Sequence, residues 1–140
     1  MMYLKRLSMK RKYKKEDIEL NTLTVDQDMS LNIAFIKKLV HNTDDLMIKK
    51  FNEEITLVYF ASSVDNSELQ KYILSPLAHH QSVEFVKNTS LHKYVITNDL
   101  NEAVEYLSLG NCLIIQENNS HIIAVQIENV MKREISEPIN

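Results

Sequence analysis

Five histidines, two pairs of adjacent acids in turn-like stretches, one cysteine and a run of cations are the side chains of this sequence whose types can do chemistry. His79 and His80 are neighbours, and successive residues of a regular helix or strand point in different directions. His41, His92 and His121 have no histidine or cysteine at the three- or four-residue spacing of a helix-borne metal pair, and neither an HExxH nor a CxxC run occurs. No metal site is expected. Asp44-Asp45 and Glu53-Glu54 would need a pocket that separates their pKa values before they served as acid and base. They stand in turn-like polar stretches and read as solvated. Cys112 lies in an apolar run and reads as a buried core thiol, of the kind free cysteines often are. No nucleophile–base set has a recognisable local motif. With one glycine in 140 residues there is no GxGxxG or GxxxxGK[ST] phosphate loop. The expectation is therefore no catalytic residue, no metal, no cofactor and no enzyme.

The cations are unevenly placed. Lys5, Arg6, Lys10, Arg11, Lys12, Lys14 and Lys15 stand among residues 1–15 without one acid. The remaining residues carry nine basic and 19 acidic side chains, a net of −10. This reads as a basic arm, residues 1–27, attached to an acidic domain, residues 28–140. The arm shows no sustained apolar period, and mobility is expected to about Lys15. It suits a solvated tail or contact with an anionic membrane surface, where each cation gains ~1 kcal/mol. Nucleic acid is the lesser alternative and is not expected as a partner. A single cysteine forms no intrachain disulfide and fits a reducing compartment. No apolar run approaches the ~18 residues of a spanning helix, and the basic start lacks the apolar stretch of a signal peptide.

The rest of the sequence must supply the scaffold. At 44% apolar and 25% charged residues it has the composition of one ordinary globular domain. Asp28 or Ser30 caps a helix to about Val40, with Leu31, Ile33, Ile36 and Leu39 near a 3.6-residue period. Asp45–Phe51 and Ile55–Ala61 read as a hairpin, the second run dense enough for an interior strand. A helix from about Asn66 to Leu74 follows. Pro76 is expected to break it and to start a new helical turn. A short amphipathic piece near Val83–Val86 and a strand at Tyr94–Thr97 come next. Asn98 or Asp99 then caps a helix to Leu109, its inward face made of Leu100, Ala103, Val104 and Leu107. Gly110 sits where a helix end wants positive φ. Cys112–Gln116 and His121–Ile127 are strands joined by the turn Glu117–Ser120, and both are apolar on successive residues, so both of their faces should be covered. The predicted fold is α/β (α+β), a small mixed sheet of about four strands covered by helices.

Four stretches, in order, resemble the cytosolic N-terminal domain of GerA-type spore germination receptor A subunits. Leu31–Phe51 is similar to that family's opening helix and "(S/T)-x-D-(L/I)-x-x-(R/K)" strand. Ile55–Leu77 resembles its "Y-x-x-G-L-V-D" strand and the helix ending in "(I/L)-x-P-L", with Tyr59, Val64, Asp65, Ile73, Pro76 and Leu77 in the matching places. Leu107-Ser108-Leu109-Gly110 matches the "LL-x-G" turn. Arg133, Glu137 and Pro138 match the "R-x-x-x-EP" segment that leads into a second subdomain. Ser62 stands where the family usually has glycine, which would relax a sharp turn, and Asn118 and Asn119 stand in place of a turn glycine.

The resemblance implies a non-catalytic domain, the first subdomain of a receptor A subunit, that relays a nutrient signal or mediates assembly in germination. It also implies partners: B- and C-type subunits and the remainder of the A subunit. A direct sensor of a small nutrient ligand is the alternative within the same receptor, and a small soluble enzyme a more distant one. Full-length relatives would place this domain on the cytosolic face of the spore inner membrane. A chain that stops at Asn140 would be soluble, as an isolated first subdomain or the product of a truncated gene.

Overall fold

The computed structural model describes residues 23–88 and 93–127. The first helix, α1 (Met29–Leu39), starts where Asp28 accepts a hydrogen bond from the Ser30 N–H. Strands β1 (Leu46–Lys50) and β2 (Ile55–Phe60) form the first hairpin, in the register Leu46 opposite Phe60 to Lys50 opposite Thr56. At the open end of the hairpin the Asp45 carboxylate accepts from both the Ser62 N–H (3.0 Å) and the Ser62 hydroxyl (2.6 Å). Ser62 is not among the residues with positive φ, so serine serves this turn without backbone strain.

Asp65 caps α2 (Asn66–Leu69) through the Ser67 and Glu68 N–H groups. The helical path then continues, which differs from the break expected at Pro76. Residues Gln70–Leu74 form a π-helical turn, and α3 (Ser75–His80) follows directly. Proline lacks an N–H and its ring crowds the carbonyl four residues back, and the wider turn just ahead of it accommodates both without ending the helix. Leu69, Ile73 and Leu77 thereby stay on one buried face. Gln81, with φ 58°, closes α3. A 3₁₀ segment, Val83–Asn88, buries Val83 and Val86.

The remaining elements are β3 (Tyr94–Thr97), α4 (Leu100–Ser108), β4 (Asn111–Gln116) and β5 (Ile122–Gln126). Asp99 caps α4 by accepting from the Asn101 and Glu102 N–H groups. Gly110 follows α4 with φ 94°. A Cβ there would meet Ser63 only at 3.9 Å, so the glycine answers a backbone requirement and not a lack of space.

The five strands form one sheet in the order β1-β2-β4-β5-β3. All four pairings are antiparallel, where a mixed sheet of about four strands was expected. The reason lies in the crossover through α4. It joins β3 to β4, two strands of the same direction, but β5 inserts between them and is antiparallel to both.

Helices cover the sheet on both faces. On one face Leu57, Tyr59, Cys112, Ile114, Ile123 and Val125 pack against Leu69, Ile73, Leu77, Val83 and Val86. On the other, Val58, Leu113, Ile115, Ile122 and Ala124 pack against Met29 and Ile36 of α1 and Leu100, Ala103 and Leu107 of α4. This double cover is why β2, β4 and β5 are apolar on successive residues, a pattern more usual in parallel sheets.

Candidate functional site

The reactive side chains do not converge. Cys112 is completely buried, and burial pushes its thiol up to about 12, so it is a neutral core residue at physiological pH. Tyr59, on the same sheet face, is likewise raised, chiefly by burial and further by Cys112. His79 and His80 meet edge to face with ring centroids 4.9 Å apart, and His80 lies near-parallel to the Phe85 ring at 6.3 Å. His121 stands just before β5. Among the described residues no three His, Cys, Asp or Glu side chains are grouped to hold a metal ion. Asp45 ties down Ser62, and Glu53 pairs with Lys50 at 3.4 Å on the surface. His92, the basic arm from Lys5 to Lys15, and Arg133, Glu137 and Pro138 lie outside the described residues.

Two clefts border the edge strand β3. On the α4 side a cleft of about 320 Å³ is lined by Lys93, Val95, Tyr106, Leu109 and Ala124. On the opposite side a second cleft, about 310 Å³, is lined by Glu84, Lys87, Ile96, Asn119 and His121. The two differ in chemistry. The first is walled mostly by apolar and aromatic groups, beside Lys93, Asn111 and Gln126. The second carries an acid, a base, an amide and an imidazole above Val83 and Ile123, with Lys87 and Glu84 themselves 3.8 Å apart. Neither cleft combines a nucleophile, a base and an orienting group, the set that covalent catalysis requires.

Reading the sequence alone did not find these clefts. Their residues come from five separate stretches, and the one local signal was that Tyr94-Val95-Ile96-Thr97 is a strand without a charge.

The fold is a small α/β domain with no assembled reaction centre among the described residues. Residues 34–140 match the model of the Bacillus/Clostridium GerA spore germination protein family, and the chain belongs to that family. Among solved structures it is similar to the N-terminal domain of the A subunit of the Bacillus megaterium spore germinant receptor GerK3, with 20% identity and a TM-score of 0.62. The similarity covers 76% of this chain and 48% of that one, so the present chain spans about half the length of that domain. The α/β fold expected from sequence is thus the fold of a germinant-receptor domain. No curated protein matches the chain. Among the described residues no helix is long and apolar enough to cross a membrane.

Proposed function

We propose that this chain is a non-catalytic part of a germinant receptor A subunit, relaying the nutrient signal or mediating receptor assembly at the cytosolic face of the spore inner membrane. The observation that carries the reading is the family match over residues 34–140. Two further observations support it. Among the described residues no nucleophile–base set is assembled, and two clefts border a sheet edge, which suits protein contact better than turnover. Its partners in this reading are B- and C-type subunits and the rest of the A subunit. Arg133, Glu137 and Pro138 form the junction to that remainder, and the cations from Lys5 to Lys15 rest on anionic lipid.

The test is co-purification. The tagged full chain, added to a detergent extract containing B- and C-type subunits, retains at least one of them. Retention of neither overturns the reading. Calorimetric titration with amino acids and nucleosides separates relay from sensing, since saturable sub-millimolar binding by the isolated chain would make the domain the nutrient sensor. Co-sedimentation with acidic liposomes tests the arm. Binding by the full chain that weakens with salt and is lost on removal of residues 1–15 is expected, and equal binding by both forms rejects the membrane role.

A further inference from the structure

We infer that the outer edge of β3 is a strand-addition site for an extended segment of a partner protein whose side chains alternate between apolar and polar. The inference rests on the reading of this domain as an interaction module and locates the contact.

The Gln126 N–H donates to the Lys93 carbonyl at 3.0 Å, so at alternate positions Lys93, Val95 and Thr97 turn their backbone groups toward β5. The N–H and C=O of Tyr94 and Ile96 consequently face outward. The chain itself already uses this edge just beyond β3. The Asn98 carbonyl accepts from the Val25 N–H at 2.8 Å, and the Leu100 N–H donates to the Leu23 carbonyl at 2.7 Å. After Val25 the chain turns away into α1, and among the described residues no strand covers Tyr94–Thr97.

The two edges of the sheet are not equivalent. The other edge strand, β1, carries Lys49 and Lys50, charges of the kind that guard an exposed edge. β3 carries none. Its exposed Val95 (37%) and Ile96 (43%) are matched on β1 by Met47 (40%) and Ile48 (36%), so the lysines alone make the difference.

The clefts give the chemistry of the occupant. A strand added beside β3 sends alternate side chains to opposite faces. On the α4 face they meet Tyr106, Ala124 and Leu109, the last 69% exposed. On the other face they meet Lys87, Glu84 and His121. The complementary segment is therefore apolar at every second position and polar between. Its paired stretch matches the four residues of β3, because Leu23–Val25 occupies the edge beyond. Backbone bonding supplies affinity and the clefts supply selectivity.

The test uses the full chain and the capped pentapeptide Thr-Leu-Thr-Leu-Thr as probe, read by amide hydrogen exchange. The Tyr94 and Ile96 amides should slow by roughly tenfold or more, the scale of one or two added hydrogen bonds. Val95 and Thr97, already in the ladder, should not change. Ile96→Pro removes an outward N–H and spares the bonds to β5, so it should abolish the protection while the fold persists. If that variant does not fold, Leu109→Glu, on an exposed side chain, should weaken the probe instead. Three outcomes overturn the inference: no protection at millimolar probe, equal protection by the isomer Leu-Leu-Thr-Thr-Thr, and concentration-dependent self-association through β3, which would give the edge to a second copy. Subunit co-purification that survives any of these leaves the interaction-module reading standing without this site.

Discussion

Asn32 and Asp26 bond to each other twice. The Asp26 N–H donates to the Asn32 Oδ1 at 2.8 Å, and the Asn32 Nδ2 donates back to the Asp26 carbonyl at 2.7 Å. Asn32 is completely buried on α1, among residues that pack on the sheet, so a polar side chain inside the core staples the incoming chain to the helix it precedes. The same region is also fixed by residues distant in the sequence. Glu117 accepts from the Met29 N–H at 3.1 Å, and the Asn118 N–H donates to the Gln27 carbonyl at 2.7 Å.

Replacing Asn32 with leucine keeps the volume but leaves the Asp26 backbone groups without their partner. An unmet, partly buried backbone pair costs about 1–3 kcal/mol. Chemical denaturation should report a loss in that range, and a loss confined to a few tenths would show that water replaces the amide freely.

Leu113 tests the central layer. It is fully buried at the middle of β4, on the face packed by α1 and α4. Leu113→Ala removes its contacts and leaves a cavity, at a cost of about 2–5 kcal/mol. Leu109→Ala, at a largely exposed position, should change the same unfolding midpoint little.

Gly110 tests the turn. With φ at 94° it adopts a conformation that a side chain resists, so Gly110→Ala should destabilise by about 1–2 kcal/mol although the added methyl group finds room. If the loss is absent, the turn has rearranged, and the Gly110 amide proton, hydrogen-bonded to the Leu107 carbonyl, should then exchange faster.

Cys112 makes the fold sensitive to alkali. Its thiol is raised from 9.0 to about 12 by burial, and a raised folded pKa means the native state holds a proton that the unfolded chain releases. The stabilisation is complete below pH 9.0 and fades as pH climbs toward about 12. Denaturation midpoints should fall over that interval, and Cys112→Ala should flatten the slope. Thiol labelling of the native protein near pH 8 should proceed only at the rate of opening.

Asp65 carries the opposite dependence. Bonds from the Ser67 hydroxyl first, then from the Ser67 and Glu68 N–H groups, hold its carboxyl below the ordinary 3.8. Its capping contribution is present above that value and lost as pH falls through the lower, folded one. Asp65→Asn, which caps without titrating, should lose part of the acid sensitivity measured for α2 by circular dichroism below pH 4.

The sequence by itself determined the elements. Asp28 and Asp99, each one of two cap candidates in the sequence, start their helices because a short acceptor side chain must meet the first free N–H groups, and Asp65 does the same for α2. The dense apolar runs at Ile55–Phe60, Asn111–Gln116 and Ile122–Gln126 declared that both strand faces would be covered, and they are. The family, too, was legible in ordered local motifs. Only the tertiary structure decided the rest, because it depends on which strands become neighbours. Insertion of β5 between β3 and β4 makes the sheet wholly antiparallel, and no local pattern encodes that choice. The π-helical turn that absorbs Pro76 arises from keeping Leu69, Ile73 and Leu77 on one packed face, a demand set by the sheet beneath. The docking edge has the same origin. Val95 and Ile96 are ordinary strand residues in the sequence, and it is their placement at an edge that no other strand of the described residues covers, between residues from α4 and from the 3₁₀ segment, that turns them into a surface.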